Sequence, residues 1–175
     1  MRLTNNVSEY GLISKLFHWF SAAVLIIQIP LGFYLVDLDF DEKRLTIESI
    51  HVLLGLSIFY LTLFRLIYKI FNPTPPLSNS IFPGQRQIAK LNHIFLYVLI
   101  FMVTISGIFK KLFNGEILDI FFLSLEIQDN FDLADLFYNI HVLANYSLIA
   151  LITLHILAVI THKLLFKENL LKKIL

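Results

Sequence analysis

The chain has 175 residues, of which 57% are hydrophobic and 15% are charged, and its formal net charge is +1. Soluble domains carry about 45–50% apolar and about 25% charged residues, so this composition excludes an ordinary soluble domain, a disordered chain and a charged nucleic-acid binder, and it indicates an integral membrane protein. The absence of cysteine also excludes disulfides, thiolate metal sites and iron–sulfur clusters.

Four long apolar stretches follow one another along the chain. They predict membrane-spanning helices at about 14–36, 46–69, 89–110 and 136–164, because a bilayer core needs about 20 apolar residues per helix. The spans must be helical, since lipid offers no partner to an unbonded backbone group. We therefore expect an all-α, integral membrane four-helix bundle in the lipid bilayer, forming a single membrane domain over residues 1–175.

The three connections differ in composition. Residues 37–46 read as a short acidic turn. Residues 70–88 contain a Pro-Thr-Pro-Pro run followed by Pro83-Gly84, so they cannot be helical throughout. Residues 111–135 alternate apolar and acidic side chains, which predicts an amphipathic segment on the outer surface.

The basic residues are distributed unevenly between the two ends of the predicted bundle. The end that holds both termini and the loop between spans two and three carries ten of the 14: Arg2, Lys15, Arg65, Lys69, Arg86, Lys90, Lys163, Lys167, Lys172 and Lys173. The positive-inside rule places this end, with both termini, in the cytoplasm. The outer end carries 11 of the 13 acids and four bases, Lys43, Arg44, Lys110 and Lys111, so its surface is acidic.

Histidines lie in or at the edge of every predicted span. His141 and His155 are 14 residues apart on the fourth. This separation turns about 1400°, close to four full turns, and rises about 21 Å. Their rings should therefore face nearly the same side of the helix at two depths. The up-and-down topology places His18 at the depth of His155, the inner level, and His51 at the depth of His141, the outer level.

Two imidazoles that face each other across a bundle can serve as the axial ligands of a haem iron, and bundle cores often hold such cofactors. The spacing therefore predicts two haems, one held by His18 and His155 and one by His51 and His141. A zinc or copper site is less suitable, because histidine pairs about 21 Å apart cannot form one compact tetrahedral cluster.

Glycines share the faces of these histidines. Gly32 follows His18 by 14 residues and should lie at the outer level, and Gly55 follows His51 by four. Both would leave room for a haem macrocycle, as would Gly107, although close helix packing is an equally good interpretation.

Three further polar residues belong to the inner end. Arg65 follows His51 by 14 residues, so it should reach the inner level and contact a haem propionate or a substrate, unless it extends to the membrane interface. His93 and His162 are either interfacial side chains or groups that exchange protons with a bound quinone.

Several segments, taken in order, resemble the bacterial cytochrome b561 family. They are Lys15–Trp19 with its His-Trp pair, Ile50–Gly55, Arg65 with the Asn-Pro-Thr-Pro-Pro segment 72–76, Asn139–His141, and Leu154-His155 followed by His162 and Phe166–Asn169. The resemblance covers nearly the whole chain, most weakly over 111–135. It implies a cytochrome of the bacterial inner membrane with two b-type haems, each held by two histidines. Such a protein moves electrons between a donor and a membrane quinone such as ubiquinone.

One activity attached to the family is the oxidation of superoxide at the outer face. The acidic outer surface of this chain repels an anionic donor on average, although its four bases could form a local funnel. The chain would then be an electron-transfer protein or a quinone-linked oxidoreductase, including a superoxide:quinone oxidoreductase.

Two alternatives remain open. One is a cytochrome b anchor subunit of a larger oxidoreductase, with a redox partner protein on the acidic outer loops. The other, from a different class, is a transporter whose histidines carry protons or metal ions. The transporter predicts a colourless protein, whereas both cytochromes would show a haem spectrum.

Overall fold

A computed structural model describes residues 2–6, 9–75, 83–120, 122–165, 167 and 169–175. Its four helices are α1 (Leu12–Val36), α2 (Glu42–Phe71), α3 (Pro83–Phe113) and α4 (Phe131–Leu165). Each is long and apolar enough to cross a membrane. The prediction of an all-α four-helix membrane bundle is therefore confirmed, and each predicted span falls inside one helix.

Some features named from the sequence lie outside the described residues. They are part of the 70–88 connection with Pro76, one aromatic of the outer connection, Phe121, and two residues of the family resemblance, Phe166 and Glu168.

The turn between α1 and α2 is shorter than the acidic segment predicted from the sequence. The Asp41 side chain accepts a hydrogen bond of 2.8 Å from the Arg44 backbone N–H and so caps α2, as acidic residues commonly do at helix starts. Arg44 Nη1 in turn donates to the carbonyls of Leu35 and Leu38, at 3.0 and 2.7 Å. A cation thus binds the exposed carbonyls at the end of α1, which fixes the turn.

The outer connection contains a small antiparallel hairpin. Strand β1 (Leu118–Ile120) pairs with β2 (Leu123–Leu125), and Leu118 lies opposite Leu125. Leu118 is buried and its strand β1 contacts α3, whereas Asp119 is exposed. The alternation of apolar and acidic side chains predicted for this segment therefore corresponds, at Leu118 and Asp119, to the alternation of buried and exposed side chains along a β-strand.

The helices pack as α1 against α2, α2 against α3 and α3 against α4. Halfway along the bundle Ile58, Ile100 and Leu148 form a buried apolar layer. Ile58 follows His51 by seven residues and Leu148 follows His141 by seven, a rise of about 10 Å. This layer lies between the two depths predicted for the histidine pairs.

Both ends of the chain lie at one end of the bundle. Asn5 Nδ2 donates to the Pro73 carbonyl at the end of α2, at 3.0 Å. Trp19 Nε1 donates to the Ile174 carbonyl at 2.9 Å, beside a 3₁₀ helix at Leu170–Lys173. These contacts fix which helix ends are neighbours. The assignment of this end to the cytoplasm stays a prediction.

Candidate functional site

His51 of α2 and His141 of α4 meet at the outer level. Their ring centroids lie 6.3 Å apart and the ring planes are inclined by 67°. Two imidazole nitrogens on opposite sides of one metal ion lie about 4 Å apart, because each metal–nitrogen bond is about 2 Å long. The distance between the ring centroids is longer than this nitrogen–nitrogen distance because each nitrogen lies on the edge of its ring, one ring radius from the centroid. The spacing would therefore allow His51 and His141 to hold one metal ion between their rings.

Glycines lie directly against both of these rings. A Cβ atom at Gly32 would lie 3.1 Å from Cε1 of His51, and one at Gly107 would lie 3.1 Å from Nδ1 of His141. Carbon atoms in favourable contact are about 3.5–4.0 Å apart, so a larger residue would displace either imidazole. Gly55 differs, because its Cβ would make an ordinary contact of 3.5 Å with Gln28 Nε2.

A cavity of about 470 Å³ opens between the helices at this level. Residues of all four helices line it, including His51, His141, Gly32, Gly55 and Gly107. Most of the other lining side chains are apolar, and the volume lies within the range of cofactor and ligand sites, about 300–1,000 Å³. The residues present thus fit a planar apolar cofactor held between two imidazoles.

The two outer imidazoles have different hydrogen-bond partners. His141 Nδ1 lies 2.8 Å from the Val103 carbonyl, with Ser106 Oγ at 3.5 Å. A carbonyl only accepts, so Nδ1 carries the proton and Nε2 keeps its lone pair for a metal. The buried Nδ1 of His51 has no hydrogen-bond partner among the residues that the structure describes.

Three imidazoles and a guanidinium gather at the inner level. The His155 ring contacts His93 of α3, with centroids 5.2 Å apart and planes inclined by 86°. His93 Nδ1 donates to the Ala89 carbonyl at 2.6 Å. His18 is within electrostatic range of both rings and accepts a hydrogen bond of 3.0 Å from Arg65 Nη2. The structure therefore adds His93 to the pair predicted from the sequence.

The surroundings of Arg65 are basic and aromatic. Its guanidinium carbon lies 5.7 Å from the centroid of the Tyr97 ring, and Lys69 Nζ lies 5.1 Å from the same centroid. Within the described ranges, the carboxylates that form ion pairs do so at the other end of the bundle. Arg65 thus has a free charge for an anionic group such as a propionate.

The four outer bases are all engaged by the protein itself. Lys110 Nζ lies 3.6 Å from Glu48 and Lys111 is paired with a glutamate of the outer connection. Arg44 is bound to the end of α1, and Lys43 lies 5.3 Å from the centroid of a tyrosine ring. Lys110 and Lys111 are thus ion-paired, whereas Arg44 and Lys43 keep their positive charges, so the local funnel considered from the sequence stays a prediction.

In the part of the chain that the structure describes, no three His, Asp or Glu side chains are close enough to hold one metal ion. The histidine arrangement is one of facing rings rather than of a compact cluster, which disfavours the zinc or copper interpretation.

Sequence reasoning placed His93 at the inner end, as an interfacial or proton-exchanging residue, but not against His155, and it missed Gln28. His93 precedes Gly107 by 14 residues, so the two residues share one face of α3. Gln28 is a polar residue within a membrane span, which by itself marks a candidate functional residue.

A membrane-spanning four-helix bundle with facing imidazoles in its core has the architecture of a membrane cytochrome. Residues 9–175 match the family model of prokaryotic cytochrome b561, and the chain belongs to this family. It is 27% identical over 179 residues to a cytochrome b561 homolog 2 of Escherichia coli K12, covering all of this chain and 95% of the relative. It is 30% identical over 130 residues to a probable superoxide oxidase of Yersinia pestis, covering 73% of this chain and 74% of the relative.

Membership of the family defines the general role. The chain is a multi-pass bacterial membrane protein, a haem b cytochrome that takes part in electron transport. This disfavours the transporter interpretation, which requires no haem.

Proposed function

We propose that the chain is a di-haem cytochrome of the bacterial inner membrane that transfers electrons between a donor at the outer face and a membrane quinone such as ubiquinone. The observation that carries this proposal is the opposition of His51 and His141 across the outer cavity, with a glycine against each ring. When bound, haem supplies one-electron redox chemistry at its iron. The protein supplies the ligands, the depth and the dry apolar surroundings that set the potential.

At the inner level, His18 and His155 are the proposed ligand pair. For Nε2 of His18 to bind iron as a neutral imidazole, its Nδ1 must carry the proton. Arg65 donates to that same Nδ1 in the structure, so it must turn away when the ligand forms. A haem propionate offers the guanidinium a stronger, charged acceptor. The proposal therefore assigns Arg65 to a propionate of the inner haem.

The apolar layer of Ile58, Ile100 and Leu148 separates the two levels. The three side chains also line the outer cavity, so the proposal treats the layer as the inner boundary of the outer site. The proposal treats residues 1–175 as one membrane domain built around this layer.

His93 is the proposed proton-exchanging group for quinone at the inner end. Reduction of a quinone consumes protons, and an imidazole is the side chain best suited to exchange them near neutral pH. The His93 ring touches that of His155, and its Nδ1 is bound to a carbonyl. Its Nε2 is thereby left to accept a proton or a hydrogen bond. His162 lies at the same end and is a second candidate.

Superoxide is a candidate donor, because one relative is named a probable superoxide oxidase. The engaged outer bases argue against strong electrostatic steering of an anion towards this chain. Superoxide would be attracted towards the outer cavity only if Lys110, which lines it, left Glu48 during the encounter.

The anchor-subunit alternative is favoured by one feature of the outer hairpin. Phe122 at its tip is fully exposed, and Leu123 beside it is 59% exposed. Acidic residues surround this tip in the sequence. An apolar tip within an acidic surface suits the docking of a basic redox partner. A stoichiometric partner that co-purifies with the chain would favour this alternative.

The proposal is tested by stopped-flow reoxidation of the purified, chemically reduced protein. Rapid reoxidation by a soluble ubiquinone analogue, with slower reoxidation in His93→Phe, is the expected result. Reoxidation that is no faster with quinone than with buffer would overturn the quinone assignment, whereas a colourless wild-type protein would overturn the cytochrome itself.

A further inference from the structure

Gln28 lies beside His51, the proposed outer ligand. The nitrogen of its side-chain amide has a hydrogen-bond partner, and the oxygen has none among the residues described. Nε2 donates to the backbone carbonyl of His51 at 2.9 Å. Oε1 is buried and has no hydrogen-bond partner among the residues described. Leaving a buried amide oxygen without a partner is unfavourable, so its presence in a membrane span calls for a physical reason.

The neighbouring imidazole has the complementary deficit. His51 Nδ1 is also buried without a partner in the described ranges, and both side chains line the same outer cavity. When Nε2 of a histidine binds a metal, Nδ1 becomes a donor that almost always finds an acceptor. His141 has such an acceptor in the Val103 carbonyl at 2.8 Å. His51 therefore requires one of its own.

We propose that Gln28 is a positioning residue whose Oε1 accepts the hydrogen bond of His51 Nδ1–H when His51 is a haem ligand. The inference rests on the proposed function, since it presupposes a haem at the outer level. Gln28 is held in place for this role by its bond to the His51 carbonyl and by the small neighbour Gly55, which leaves space for the amide.

The expected consequence is a change in one haem only. A hydrogen bond from Nδ1–H makes the imidazole a stronger base, which stabilises the oxidised iron and lowers the potential. Gln28→Met keeps the length of the side chain and removes the acceptor, so the midpoint potential of the outer haem should rise. Gln28→Glu keeps an acceptor oxygen and removes the Nε2 donor, so this potential should stay at the wild-type value or fall.

The experiment is a potentiometric titration of the purified holoprotein with wild type, Gln28→Met, Gln28→Glu and the control Gln128→Met, whose position is exposed in the outer connection. The His51→Ala protein identifies the inner haem as the one that remains. Opposite shifts, or a rise in the Met variant alone, support the inference, as does a change in the electron-paramagnetic-resonance g-values of the outer haem.

Equal shifts in both variants would show that Gln28 acts only through its bond to the His51 carbonyl, and unchanged potentials would show that it has no role in ligation. Either result overturns the inference while leaving the proposed function intact. A wild-type protein with fewer than two haems, or a His51→Ala protein that keeps both, would instead overturn the proposed function.

Discussion

Arg65 on α2 is joined to His18 on α1 by a hydrogen bond of 3.0 Å between Nη2 and Nδ1. The two residues are 47 positions apart in the chain, and they meet because antiparallel helices bring the end of α2 to the start of α1. In the proposed ligation through Nε2 of His18, Nδ1 must carry the proton and cannot accept a hydrogen bond from this guanidinium. The proposed ligation therefore requires another acceptor for Arg65, such as a haem propionate.

The first prediction concerns the charge of Arg65. Arg65→Gln should lower the potential of the inner haem, because a nearby cation favours the reduced form. At about 10 Å and an effective dielectric constant of about 20, the loss is of order 1–2 kcal/mol. Arg65→Lys retains the charge and should show a smaller decrease. Potentiometric titration measures both values. An unchanged inner potential in Arg65→Gln would contradict the propionate assignment.

The second prediction concerns the glycines at the outer level. Gly32→Ala should reduce the haem content from two per chain towards one, because a Cβ atom there lies 3.1 Å from the His51 ring. Gly55→Ala is the matched control on the next helix, since its Cβ would make an ordinary contact of 3.5 Å. Haem extraction from the two purified variants measures the number of haems per chain. Equal losses would show that the macrocycle, rather than the imidazole, occupies the space beside both glycines.

Much of this architecture follows from sequence spacing alone. Hydropathy determines the four spans, and the 14-residue separation of His141 and His155 determines their common face because α4 is one unbroken helix from Phe131 to Leu165. The meeting of His51 with His141 then follows from up-and-down topology. These features depend on helix geometry, which is nearly independent of the side chains around it.

Other features depend on packing that spacing does not determine. His93 lies beside His155 because α3 packs closely on α4, and residue spacing does not determine the order of the helices around the bundle. The pairing of Lys110 with Glu48 joins α3 to α2, so it became visible only once both helix ends were placed. The hairpin after α3 was likewise predicted only as an amphipathic segment.

The third prediction concerns superoxide as the donor. Glu48→Gln should raise the rate at which superoxide reduces the haem, because it releases Lys110 at the border of the outer cavity. The gain should decrease as salt is added, since exposed charges are screened over about 8–10 Å at physiological ionic strength. Pulse radiolysis at two salt concentrations gives the rates. A wild-type haem that superoxide does not reduce would exclude this donor, and equal rates in the variant would exclude steering by Lys110.

The fourth prediction concerns acid stability of the outer connection. Partial burial raises the pKa of Glu116, but hydrogen bonds from Lys111 and Asn114 outweigh this effect and hold the pKa below its ordinary value of 4.5. A lowered folded-state pKa stabilises the protein above the unfolded-state value, and the contribution is lost as the pH falls through the folded-state value. The pair is partly exposed, so the contribution is about 1 kcal/mol or less.

Thermal unfolding in detergent tests this contribution. Glu116→Gln should melt below wild type at pH 7. The difference should shrink as the pH falls below the unfolded-state value of about 4.3 and disappear once Glu116 is protonated in the folded protein. Glu126→Gln, an exposed carboxylate in the same connection, is the control and should melt as wild type does at both values. A difference that persists in acid would assign the effect to packing rather than to charge.

Haem stoichiometry in single histidine variants tests the central claim most directly. The wild-type chain should contain two haems, and His18→Ala, His51→Ala, His141→Ala and His155→Ala should each contain one. His93→Ala should keep both, which separates it from His18 as a partner of His155. Two haems in His18→Ala together with one in His93→Ala would contradict the inner pair, and unchanged content in His51→Ala or His141→Ala would contradict the outer pair.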